Sequence, residues 1–166
     1  GSKLYAHKFV VCGKCEYFAT AFKGNFKEGE QGFIKLKHGS ATAQYRVIEF
    51  LYTGDYSDDV DILDDSDLLK DIRVYALAEM FLIDDLKTLA LSKFQVRLPK
   101  LWMTRMPPAF PEWVQEIYTT TPDNGLLRPE VVRFVRNHRD TLKGNDAFLR
   151  LVEEGGDFVV DLFKSM

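Results

Sequence analysis

Over residues 3–11 the chain alternates: Leu4, Ala6, Lys8 and Val10 share one face, while Tyr5, His7, Phe9 and Val11 share the other. Period-2 alternation rich in aromatic and β-branched residues predicts a strand with both faces at least partly covered. Cys12-Gly13-Lys14 interrupts it, and residues 15–22 predict a short helix presenting Phe18 and Phe22 at i, i+4. Residues 23–31, rich in Gly and charge, predict a loop, and Phe33-Ile34-Lys35-Leu36-Lys37 alternates again as a short strand.

The period then changes to that of a helix. Residues 41–52 carry Tyr45, Ile48 and Tyr52 on one stripe widened by Val47, Phe50 and Leu51, and Gly54 sits in the expected post-helix position. From Ser66, an N-cap candidate, a helix is predicted to Met80 that buries Leu69, Ile72, Tyr75, Ala76 and Met80. Another covers residues 84–97, with Leu86, Leu89, Ala90 and Phe94 on one face. After Leu98-Pro99 the character shifts. All six prolines lie from Pro99 onward, and Met106-Pro107-Pro108-Ala109-Phe110-Pro111 is the best linker candidate. Pro111 suits the first turn of a helix to Tyr118, and Pro129 opens one to Leu142 with Val131, Phe134, Val135 and His138 on its stripe. Asn145 caps a short helix and Asp157 begins a last one. There is no internal repeat, which excludes a solenoid. The pattern is two or three strands with a helical majority.

Composition adds limits. The chain has 166 residues, 46% hydrophobic and 28% charged, with thirteen Phe, enough apolar area for a packed core. A net charge of −3 gives no basic footprint for nucleic acid. No apolar run approaches the roughly 20 residues needed to cross a bilayer, and the N-terminus lacks the layout of a secretory signal. The two cysteines, Cys12 and Cys15, are too close together to staple a domain, which favours an intracellular setting, cytoplasmic or nuclear. Gly1-Ser2 fits either a cloning scar or the turn of a hairpin whose other strand would lie upstream.

Candidate chemistry is sparse. Cys12-Gly13-Lys14-Cys15 follows a predicted strand and opens a helix, the place for a thiol redox pair. The rest of the pattern, with no proline before Pro99 and little sheet, does not suit that use, and structural cysteines are the preferred reading. A zinc site from His7, Cys12, Cys15 and His38 would need four converging ligands, and His7 sits mid-strand. The connector holding Asp55, Asp58, Asp59, Asp61, Asp64, Asp65, Asp67 and Asp71 lacks the central Gly and terminal Glu of a calcium loop; it reads as a solvated segment or an address for a basic partner. No catalytic motif is present, so the sequence predicts no enzyme, no cofactor and no metal.

Three segments together resemble the BTB/POZ family, most closely its fungal members. They are residues 4–11 with Cys15-Glu16-Tyr17-Phe18 and Phe22; Phe26-Lys27-Glu28 with residues 34–36; and residues 47–56 with Val74-Tyr75-Ala76-Leu77-Ala78-Glu79-Met80-Phe81 and Leu86-Lys87-Thr88-Leu89-Ala90. Residues 110–118 and the last helices resemble the short helical extension of those fungal proteins. The resemblance implies an α+β fold: a small sheet carrying a helical cluster over residues 1–98, whose first strand and helix would lie upstream, then an all-helical extension over residues 99–166 packed on it. It implies association with protein, homotypic or heterotypic, in a scaffold or adaptor, and in some members recruitment of cullin-type ubiquitin ligases. The expected contact residues are Leu4, Tyr5 and Phe9 with Phe26, Phe33 and Tyr56 around them, and Lys8 as half of a charged pocket. The nearest match to the cullin-contacting pattern is Leu69-Lys70-Asp71, with Asp where the family has Glu.

Overall fold

The structure is a computed structural model describing residues 3–23, 27–58, 68–104 and 109–166, and the backbone alone for Lys27, Met103 and Thr104. Among the described residues the eleven helices are α1 (Lys8–Lys14), α2 (Glu16–Phe22), α3 (Lys27–Gln31), α4 (Ala41–Thr53), α5 (Leu69–Met80), α6 (Asp84–Thr104), α7 (Phe110–Thr120), α8 (Leu127–Asn137), α9 (Arg139–Leu142), α10 (Asp146–Glu154) and α11 (Asp157–Lys164).

No strand is formed among the described residues, and the expected α+β fold is therefore corrected to an all-helical one. Alternation fixes which face a side chain takes, but a strand also needs a ladder partner for every backbone N–H and C=O. At the N-terminal run those groups go elsewhere. The His7 N–H donates to the Tyr52 hydroxyl at 2.6 Å. The His7 carbonyl accepts from the N–H groups of Val10 and Val11 at 2.9 and 3.2 Å, which starts α1 in the middle of the alternating stretch. Residues 33–37 run as irregular backbone, with no ladder partner among the described residues.

The chain divides into two compact units, Gly1–Ala90 and Leu91–Met166. In the first, α4 packs on α5 and α1 packs on both α2 and α4. Val47 and Leu51 of α4 and Ile72, Val74 and Tyr75 of α5 are buried, and α4 is capped at its start by the Ser40 hydroxyl, which accepts from the Ala43 N–H at 3.1 Å. Its end is Gly54, at φ 81°, as the sequence indicates. Ser66 lies outside the described residues, and α5 begins at Leu69.

In the second unit α7 packs on α8, α10 and α11, and α8 packs on α11. Trp113, Ile117, Leu127, Val131 and Phe158 are buried there. The expected helix over residues 129–142 is two pieces, α8 and α9, separated at His138 (φ −113°). The His138 ring stacks on Phe134 with centroids 4.1 Å apart, and its Nδ1 lies 2.8 Å from the Phe134 carbonyl, so it is a packed histidine. Arg128, buried in α8, donates from Nη2 to the carbonyls of Tyr118 and Thr121 at 3.1 and 3.0 Å, satisfying the open C-terminus of α7.

Candidate interaction surface

The residues expected to meet a partner separate into two groups. Leu4, Tyr5, Phe9 and Phe33 are exposed, Tyr5 at 90% and Phe9 at 91% of their full surface. All four precede α4, and residues 3–7 are tied to that helix by a clasp at His7. Besides the backbone bond, His7 Nδ1 lies 2.8 Å from the Tyr52 hydroxyl, and the two rings are 5.9 Å apart. The clasp fixes the extended segment while leaving Tyr5 outward; α1 then turns Phe9 to solvent and Val11 inward. Lys8 is exposed with its Nζ 4.9 Å from the centroid of Phe22, a cation–π contact across α1 and α2. Apolar surface of this kind costs solvation free energy unless something covers it.

Tyr56, Leu69 and Asp71 form the second group, and all three are buried. The Tyr56 hydroxyl donates to Asp71 Oδ1 at 2.6 Å inside the first unit. A carboxylate without exposure is tolerable only when hydrogen-bonded, and this bond ties the segment after α4 to the first turn of α5. Lys70 between them reaches Asp58 at 3.3 Å. Phe26 lies outside the described residues, as does most of the acidic connector, residues 59–67.

The cysteines are free thiols, Cys15 buried and Cys12 half-buried. Cys15 is buried and donates to the Phe81 carbonyl at 3.6 Å; Cys12 donates to the Phe18 carbonyl at 3.7 Å. Burial pushes the Cys15 thiol up, against the lowering effect of nearby backbone groups. A redox nucleophile needs the opposite shift, so the buried Cys15 is not placed as one. Among the described residues no three His, Cys, Asp or Glu side chains are grouped to hold a metal, and no helix is long and apolar enough to cross a membrane.

One exposed residue went unread in the sequence. Leu82, in the turn between α5 and α6, is 78% exposed and has φ 57°. The signal was present: Met80-Phe81-Leu82-Ile83-Asp84 joins two helices with no Gly or Asn where one is usual.

The exposed aromatic edge of the first unit is the kind of surface that a binding module offers. Comparison with known proteins agrees: the BTB/POZ domain profile matches residues 1–97, and the chain belongs to that family. Membership makes this segment a protein–protein interaction module. Similar curated proteins include Kelch-like protein 22 of Xenopus tropicalis, 33% identical over 55 residues that make up 33% of this chain and 9% of that protein. Kelch-like protein 26 of Homo sapiens is 33% identical over 81 residues, 46% of this chain and 13% of that protein. Its Mus musculus counterpart is 32% identical over 83 residues, 48% and 14% respectively. The chain thus spans well under a fifth of the length of these relatives. No solved structure matches it.

Proposed function

We propose that this chain is the pairing segment of a non-catalytic scaffold or adaptor, and that it forms a homodimer through Leu4, Tyr5, Phe9 and Phe33. The observation that carries this reading is the exposure of those four side chains within the BTB/POZ segment, two of them almost completely. Covering them removes large apolar area from water, and aromatic anchors of this size are the residue types that dominate interface energies. The net charge of −3 is too small to keep two copies apart at physiological salt. The extension from residue 99 onward is a helical appendage like that of the fungal-type members. The setting is intracellular, in keeping with Cys12 and Cys15 as free thiols.

A cullin-type ligase is the second reading, supported by family membership and by the family's use of such contacts. Leu69 and Asp71 are buried, so in this reading they shape the surface from beneath rather than touch the partner. One experiment addresses both. Light scattering on size-fractionated protein over a concentration series is expected to give a dimer mass for the wild type and a monomer mass for the Tyr5→Ser/Phe9→Ser double variant. Adding the purified N-terminal region of a cullin should raise the mass of both if the second reading holds. A wild type that stays monomeric at every concentration sinks the homodimer.

A further inference from the structure

The turn between α5 and α6 is built by a full set of helix-ending bonds. The Leu82 N–H donates to the Glu79 carbonyl at 3.3 Å and the Ile83 N–H to the Ala78 carbonyl at 2.9 Å. That pair defines a Schellman motif, and its left-handed position normally goes to glycine, because a Cβ there crowds the following carbonyl. Here the position holds Leu82, at φ 57°. The neighbours Phe81 and Ile83 are buried, which locks the turn, so Leu82 is held outward in a conformation leucine adopts only at a cost. A folded chain gains nothing internally from it, since a glycine or asparagine would fit the backbone better and expose no isobutyl group to water.

The surroundings narrow what could cover Leu82. Met80 is partly exposed beside it, and the half-exposed Tyr17 ring of α2 packs 4.6 Å from the buried Phe81 ring. Glu79, Asp84 and Asp85 bring three carboxylates to the turn itself. Lys87 is drawn into them, at 3.0 Å from Asp84 and 3.5 Å from Glu79, and its ammonium is held in the charged form mainly by Asp84. An apolar point flanked by three carboxylates against the one ammonium of Lys87 complements a segment with apolar residues on one face and Lys or Arg beside them.

We propose that the α5–α6 turn docks a basic amphipathic segment of a protein partner, with Leu82 as the anchor. This surface is separate from the aromatic edge and stands whether or not that edge pairs. Three variants separate anchor from strain. Leu82→Ala removes the anchor and keeps a side chain in the left-handed conformation. Leu82→Asn removes the anchor and relieves the strain. Asp84→Asn/Asp85→Asn removes charge only.

The probe is a synthetic helix of about 14 residues with Leu at i, i+3, i+4 and i+7 and Lys elsewhere, titrated into the isotope-labelled chain by NMR. The expected result is a set of shifted amides centred on Leu82, Asp84 and Tyr17. Affinity should fall about tenfold or more in both Leu82 variants, as for a lost apolar anchor. The Asp84/Asp85 variant should bind more weakly with a reduced salt dependence. Leu82→Asn, and not Leu82→Ala, should also melt higher by roughly 2–4 °C. The proposal is overturned if the peptide does not bind, if its shifts map to Tyr5 and Phe9 instead, or if a Leu/Glu peptide of the same pattern binds equally well. Unchanged affinity in Leu82→Ala would also end it.

Discussion

At the scale of single residues, Cys15 has the clearest consequence outside binding. Its thiol is buried against the Phe81 carbonyl, and desolvation raises its pKa. A folded state that holds the proton more tightly than the unfolded chain contributes stability that is complete below the unfolded thiol value, around 8.5, and is lost as pH rises above it. Unfolding free energy measured by denaturant from pH 7 to 10 should therefore fall more steeply for the wild type than for Cys15→Ser, which does not titrate there. Parallel profiles would mean that Cys15 is not shielded. The sequence favours structural cysteines because the pattern around them lacks the partners of redox chemistry, and Cys15 is buried. It could not disclose that Tyr56 and Asp71 face each other in the core, since residue types that serve an interface serve equally well as a buried hydrogen-bonded pair when fifteen positions separate them.

At the scale of elements, helices of sufficient length were legible and strands were not. Residues 41–52 carried a stripe, and Gly54 supplied the stop; α4 ends one residue beyond the expected Tyr52. Residues 3–11 carry alternation and β-formers, yet the last four of them open α1, because periodicity says nothing about whether a ladder partner lies alongside. Proline misled in the other direction. The expected helix end at residue 97 rests on Leu98-Pro99, but α6 runs on to Thr104 with Pro99 inside it. Pro99 cannot donate to the Gln95 carbonyl, and its ring crowds that turn. It is also exposed, so replacing it removes little packing. Pro99→Ala should stabilise the protein by about 1–3 kcal/mol, with increased helical ellipticity, the range expected for proline against alanine within a helix. A loss of stability in chemical denaturation would instead mark the proline as required for the course of the chain there.

At the scale of the whole molecule, the family was legible because its motifs span the first ninety-odd residues in order, while the fold class drawn from it was not, because the expected sheet has no ladder among the described residues. The surface that the sequence singled out for pairing has a thermodynamic signature of its own. Association that occurs only in the folded state stabilises that state by mass action, so a pairing protein melts at a temperature that rises with its concentration. The apolar area on Tyr5 and Phe9 lies outside the folded core, so truncating it opens no cavity and, in the proposed dimer, removes only association. The wild-type Tm should therefore climb over a hundredfold concentration series, while that of Tyr5→Ser/Phe9→Ser should stay flat and meet the wild-type value at the dilute end. A double variant that melts lower than the wild type even at the dilute end would place those rings in the stability of the single chain. Equal slopes for both proteins would move the pairing surface away from the N-terminal edge.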